Sequence, residues 1–410
     1  MENYIELNKF HTFSIKRYHI SKINPKDVTK RMLLLSYLQI SSLKYKTEED
    51  IVRVCEDLYD FRYSVKGDLH GSYWMITFQG NAIDPKYISD EAYTKDKVFE
   101  VFNDLSTPLV IDNKLDKKTF QRAKKLLSAS ILKLEKYPAV KATNFALHTF
   151  FKDTLRDYQP KGDMEELKKI TIDELYEYYL EFLQEEETTI FIGAFDKKYP
   201  IKDTITPHMD HNFIERAKLD KDIYLYPHKS KLMNLRIIYD LNIFTGDDRI
   251  YALSIFNYFL GSSNYSYLFR IVREKYGLCY SISSDLYGAS GIVIIGAEVK
   301  KDDLNLVIEK IDEALKESLN SFDLEKIKRV FVLTHKASYD QQDSYASDLI
   351  CKKAFPIAYD SNTYIDKINS VTMDDIKEVF NTFMKSRRVI FGYGGDKKWV
   401  IQHILLPKMA

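Results

Sequence analysis

Residues 256–287 read FNYFLGSSNYSYLFRIVREKYGLCYSISSDLY. An apolar helical run closes at Leu260, Gly261-Ser262-Ser263 interrupts it, and a second helical run carries Arg270 and Arg273 to Gly277. Glycine adopts the left-handed conformation that ends a helix without steric cost, so Gly277 is the expected stop. Beyond it the period changes to two, which puts Leu278, Tyr280, Ile282, Ser284 and Leu286 on one face of a predicted strand. Arg273 then falls in the last helical turn and Tyr280 early in the strand. A helix-turn-strand corner aims both side chains at one point.

The same strand pattern occurs earlier in the chain. LYDFRYSVKGDLHG aligned with KYGLCYSISSDLYG pairs Tyr59 with Tyr276, Tyr63 with Tyr280, Ser64 with Ser281, Asp68 with Asp285, Leu69 with Leu286 and Gly71 with Gly288, each 217 residues apart. KKITIDELYEYYLEFL near Thr171 echoes NSVTMDDIKEVFNTFM near Thr372, 201 residues apart, and each runs into an apolar strand ending in glycine, TTIFIG and RRVIFG. The chain therefore reads as two copies of one unit.

Within each copy the predicted order is strand, helices, hairpin, long helices and a last strand. Strands are expected over 9–20 and 235–243, and helices over 27–41, 48–59, 247–260 and 302–319. The last has an apolar stripe of Leu304, Val307, Ile308, Ile311, Leu315 and Leu319. The fold class implied is α+β: two homologous, helix-covered, antiparallel-rich sheet domains in tandem, the sheets covered by helices on one side. The boundaries expected are 1–198, a linker at 199–222 containing Pro200 and Pro207, and 223–410.

Composition narrows the function classes. Lys plus Arg and Asp plus Glu are both 60 of 410 residues, so the net charge is zero and no basic block invites nucleic acid. Cys55, Cys279 and Cys351 are sparse and unpaired by spacing, which reads as free thiols in a reducing compartment. No apolar run approaches the roughly 18 residues that span a bilayer, and the first residues lack a secretory pattern. The expected location is cytoplasmic.

The run REKYGLCY after GSSNYS resembles the C-terminal half of the pitrilysin-type, or insulinase-type, inverzincin metallopeptidases, which include the mitochondrial processing peptidase. The duplication is similar as well, since those chains have two homologous α+β halves. The resemblance implies that Arg273 and Tyr280 act on a peptide held near a zinc ion, with Gly261, Ser262 and Ser263 near the substrate. The repeat supplies Glu56 and Tyr63 at the matching positions, so the tyrosine, present in both copies, also has a packing reading. The loop reads equally well as a helix stop.

The zinc motif itself is missing. An inverzincin needs H-x-x-E-H on a helix of the first copy: two histidines to hold zinc and a glutamate as base. The corresponding helix reads VTKRMLLLSYLQISSLKY, without His or Glu, and none of the nine histidines begins such a motif. The later helix expected to add a zinc-binding Glu has no acidic residue between Asp116 and Glu135. His208-Met209-Asp210-His211 is the nearest other metal candidate, but it lies in the linker and reads as solvated chain. The expectation is no metal in this chain and zinc on a homologous partner subunit, the pair forming a heterodimeric peptidase inactive as separate chains. Bacterial zinc-free subunits that process ribosomally made peptides are similar in character. The alternative is a non-enzymatic scaffold or peptide-binding protein.

Overall fold

A computed structural model describes residues 3–157, 161–208, 215–355 and 361–396. The elements that position the site are, in the first half, β1 (Tyr4–Ile5), β2 (Thr12–Lys22), α1 (Val28–Leu38), β3 (Arg62–His70), β4 (Tyr73–Ile83), α2 (Lys117–Glu135), α3 (Pro138–Phe150), α4 (Ile172–Phe182) and β5 (Glu186–Ile192). In the second half they are β6 (Ile223–Tyr226), β7 (Met233–Asp240), α5 (Arg249–Asn257), β8 (Cys279–Tyr287), β9 (Ile292–Val299), α6 (Leu304–Glu317), α7 (Gln342–Ala354), α8 (Met373–Lys385) and β10 (Arg387–Tyr393).

The chain forms two compact units. The first comprises Met1–Lys133, Tyr158–Asp210 and Ser338–Tyr359; the second comprises Leu134–Asp157, His211–Ala337 and Asp360–Ala410. Each contains a five-stranded sheet, in the order β1-β5-β2-β4-β3 in the first and β8-β9-β7-β10-β6 in the second. In each sheet one short outer strand pairs in parallel and the others are antiparallel.

Both faces of each sheet are apolar at the centre. In the second unit Leu235, Ile237, Val293 and Ile295 face a core with α5, α6 and α8. Ile238, Ile294, Val389 and Phe391 face the other way, onto Ala146, Phe150 and Phe151 at α3. In the first unit Phe13, Ile15 and Phe78 face α1 and α4. Tyr18, Ile20, Met75 and Ile190 face Ala346, Ile350 and Cys351 of α7. The sequence led us to expect helices on one side only. A sheet whose strands are buried on both faces needs a second covering layer, and each unit obtains it as one helix from the other half of the sequence.

Polar contacts fix these helices in register. Lys16 on β2 is paired with Asp343 at 2.8 Å, and Gln342 donates to the Thr12 carbonyl at 2.6 Å. At the far end of α7, Lys353 meets Asp203 at 2.6 Å and Asn3 at 2.7 Å. In the second unit Arg236 on β7 donates to Thr143 at 2.8 Å and to the Ala139 carbonyl at 2.9 Å. A buried cation with no partner is costly, so each cation binds the helix to one place on the sheet.

The late-helix echo is structural. Thr171 and Thr372 cap α4 and α8, and Glu174 and Asp375 return the bond to the cap residue's own N–H, at 2.7 Å in both copies. That reciprocal box satisfies two of the N–H groups a helix start leaves unpaired. The backbone bond holds both carboxyls below their ordinary values. A lowered folded-state pKa gives stability that is complete above the ordinary value, 3.8 for Asp375, and is lost as pH falls through the lowered value. Thr372→Ala should cost about 1 kcal/mol in urea unfolding at neutral pH. Asp375→Ala should be destabilised similarly at neutral pH, and its deficit should close in acid; a deficit unchanged by acid would contradict the ionic contribution of the box.

Candidate functional site

The corner lies in the second unit and contains two π-helical turns, Tyr258–Ser262 and Phe269–Lys275. The second closes with Tyr276 N–H on the Ile271 carbonyl at 3.2 Å and Leu278 N–H on the Val272 carbonyl at 3.1 Å. Gly277 sits at φ +64° with no atom within 4 Å of where a Cβ would be, the left-handed stop expected from the sequence. π turns are rare and recur at functional sites, because one extra residue per turn redirects the side chains that follow.

Arg273 is exposed in the last of these turns, its guanidinium carbon 4.6 Å above the centre of the Phe269 ring. No carboxylate forms an ion pair with it among the described residues. Neighbouring Glu274 instead accepts from the Tyr265 hydroxyl and raises that phenol's pKa. Arg273 therefore keeps its planar set of donors available and stands on an aromatic platform.

Tyr280 is 74% exposed, whereas Ile282 is 7% exposed. Strict alternation would have put both on the core face, as the sequence led us to expect. The pairing of β8 with β9 contains a bulge: Cys279 opposes Val299 and Ser281 opposes Glu298, so Tyr280 is the extra residue. A bulge breaks the period-two alternation and re-aims one side chain. The repeat partner Tyr63 has no bulge, opposes Gly80, and donates to the Leu105 carbonyl at 3.1 Å inside the first unit. The two tyrosines thus differ: packing holds the first, and the second projects from the surface.

The loop before the corner is built into it. Gly261 is buried, and a Cβ there would lie 2.5 Å from the backbone nitrogen of Ser284. Ser262 donates to the Ser284 carbonyl at 2.6 Å, as does Asn257 at 3.1 Å, and the Ser284 hydroxyl donates back to Asn257. Ser263 ends the π turn with its N–H on the Tyr258 carbonyl at 3.1 Å. Gly261 therefore lies inside a turn, where close approach to β8 requires it, and is not a helix stop. β3 and β8 are both sheet edges, and each is partly covered: Gln39 donates to the Val65 carbonyl of β3 at 2.6 Å, and Asn257 and Ser262 donate to the Ser284 carbonyl of β8.

Sequence reasoning missed Phe269 and Asn257, which support Arg273 and Ser284. Nothing in the period of the run singles them out. Cys279, beside the bulge, is a free thiol that burial pushes up to about 11, which keeps it unreactive.

The place the resemblance assigns to zinc does not fit the ion. α1 buries Val28, Met32, Leu33, Leu34, Tyr37 and Leu38. Its one buried charge, Arg31, is paired with Glu185 and bonded to Ser21. α2 turns Phe120, Ala123, Leu127 and Ile131 inward. Among the described residues no three His, Cys, Asp or Glu side chains converge to hold a metal. The His208 ring lies tilted against Tyr73 with ring centres 4.3 Å apart, and His208 is 3.2 Å from Glu186; Met209, Asp210 and His211 are outside the described residues. No described helix is long and apolar enough to cross a membrane.

Comparison with known proteins agrees with this geometry. Residues 169–331 match the family model of the peptidase M16 inactive domain. A probable inactive metalloprotease of Bacillus subtilis strain 168, YmfF, is 20% identical over 387 residues, 91% of each chain. The crystal structure of a conserved protein from Enterococcus faecalis V583 matches with a TM-score of 0.82 at 19% identity, covering 96% of each chain. That of a peptidase M16 inactive domain from Pseudomonas fluorescens matches with a TM-score of 0.74 at 14% identity, again over 96% of each. At those identities the structures speak for the fold alone. The sequence match and the fold agree with the resemblance read from the sequence: residues 169–331 match the peptidase M16 inactive domain, and the chain is similar in sequence and fold to M16-type, or pitrilysin-type, proteins.

Proposed function

We propose that this chain is the non-zinc-binding subunit of a two-chain peptidase acting on short or unfolded peptides, including ribosomally made ones. A homologous partner brings the zinc and the general base. This chain brings Arg273 and Tyr280. The observation that carries the reading is Tyr280, which a bulge lifts out of the sheet's alternation while its repeat counterpart stays packed. An exposed tyrosine has no packing role to explain its place on the strand that follows the turn of Arg273.

In this reading Arg273 grips a carbonyl or carboxylate of the peptide with its planar donors. The Tyr280 hydroxyl donates to the peptide oxygen on which negative charge develops, where a fixed donor is worth most. Gly261 and Ser262 hold β8 against the π turn, and Ser263 lines the side of the loop toward the peptide. The free thiols fit a reducing location such as the cytoplasm.

A peptide-binding scaffold without turnover is the second reading, favoured by how completely α1 is committed to packing. A mixture of this chain with its zinc-bearing partner should cleave peptides that neither cleaves alone, and metal analysis should find zinc only with the partner. Arg273→Ala and Tyr280→Phe should each lower turnover in the mixture about a hundredfold without dissociating it. Full activity from the partner alone, or unaffected variants, would leave the scaffold.

The loop makes a separate prediction. Gly261→Ala should lose about 1–3 kcal/mol of stability in urea unfolding, because the new methyl meets backbone that cannot rotate away. Gly277→Ala, open in space but left-handed, should lose only about 1 kcal/mol. Equal losses would mean that close approach at Ser284 does not constrain the corner.

A further inference from the structure

On the α3 face of the second sheet lies a cleft of about 100 Å³ beside the corner. Ser281, Ser283 and Asp285 of β8 form one wall, at the period of two that the bulge leaves intact, and Ser281 directly follows Tyr280. Glu298 of β9 opposes Ser281, and Gly296 opposes both Ser283 and Arg236.

The floor of the cleft is fixed. Arg236 donates to Thr143 at 2.8 Å, to the Leu235 carbonyl at 2.7 Å and to the Ala139 carbonyl at 2.9 Å. The space above it exists because residue 296 has no side chain; a Cβ there would come within 3.2 Å of the guanidinium. Neither Asp285 nor Glu298 has an ion-pair partner among the described residues, and Asp285 accepts only from the Ser283 hydroxyl, at 3.2 Å. One anchored cation therefore faces two carboxylates, and the groups left over are acceptors.

The first unit differs at the matching positions. There the pairs Ser64 with Gln79 and Lys66 with Thr77 correspond to Ser281 with Glu298 and Ser283 with Gly296. The first copy thus has its own lysine where the second has Ser283, a threonine where the second has Gly296, and a neutral amide where the second has Glu298. The second copy thus has a serine in place of Lys66, an added carboxylate and more room, while Arg236 stands where the first copy has Tyr18. Among the described residues no third His, Cys, Asp or Glu joins them, so the set does not suit a metal ion.

We propose that this cleft receives the cationic end of a lysine or arginine side chain of a bound peptide, next to Tyr280. The inference rests on the reading of this chain as a peptide-handling subunit and specifies the class of peptide. The guest's ammonium or guanidinium donates to Glu298, Asp285 and the serine hydroxyls. Arg236 sets the depth, so that the charge is met near the mouth.

The test is fluorescence anisotropy on the full chain with a labelled, short, unstructured peptide carrying lysine, norleucine or glutamate at one position. The lysine peptide should bind about tenfold tighter than the norleucine peptide, and the glutamate peptide weakest. Glu298→Gln should remove that preference, and Ser283→Lys, which restores the first copy's lysine, should remove it too. Both variants should unfold in urea at the wild-type midpoint, which reports that they are folded. Equal binding of lysine and norleucine peptides, or a preference that survives both substitutions, overturns the cleft proposal and leaves peptide handling standing. If none of the peptides binds, the peptide-handling reading fails and the cleft proposal fails with it.

Discussion

Central strands with apolar side chains on both faces are the constraint on which the rest of this structure depends. Ile237 and Ile238 are adjacent on β7 and both fully buried, in opposite directions. Hydrophobic burial is worth about 1.5–3 kcal/mol per large side chain, so neither face can be left to water. α1 and α4 in the first unit, and α5, α6 and α8 in the second, cover one face; α7 and α3 cover the other. Chain order and packing therefore diverge. The repeat is a pattern in sequence, while the cores are assembled from pieces of both copies. The cations Lys16 and Arg236 follow from the same constraint, because a helix lying across an apolar face needs a polar contact to fix its position.

The corner follows from a second use of close contact. Gly261 lets the π turn reach the backbone of β8, and Asn257 and Ser262 bind it there through Ser284. With the strand held at Ser284, the extra residue in its pairing falls at Tyr280. The first copy has Glu56 and Tyr63 at the matching positions and pairs without a bulge. One sequence unit thus gives a packed tyrosine in one context and a projecting one in the other. The difference lies in one register shift.

Much of this was legible in the sequence. The duplication, the capped helices at Thr171 and Thr372, the glycine stop at Gly277 and the apolar stripe of α6 are all local patterns, and local patterns carry their own physics. The second covering layer was not found, although IVIIGAEV and RRVIFGY are near-continuous apolar runs, the mark of a strand buried on both faces. The bulge at Tyr280 was beyond reach: register is a property of two strands, and β9 begins only at Ile292. The same holds for the cleft, where Asp285 and Glu298 meet across a strand pair.

The loss of zinc-binding residues and the retention of the corner are separate facts about packing. α1 buries most of its residues, and its one buried charge is already neutralised by Glu185. Two imidazoles and a carboxylate introduced there would have to be desolvated without a metal to compensate, at several kcal/mol each in the worst case. The first copy has therefore settled into an apolar helix from which single substitutions lead nowhere useful. The second copy keeps Arg273 unpaired on Phe269 and Tyr280 exposed, and neither arrangement contributes to a core. Two solvent-facing groups on a corner held by buried hydrogen bonds are open to a ligand, while the matching helix of the first copy is given over to packing.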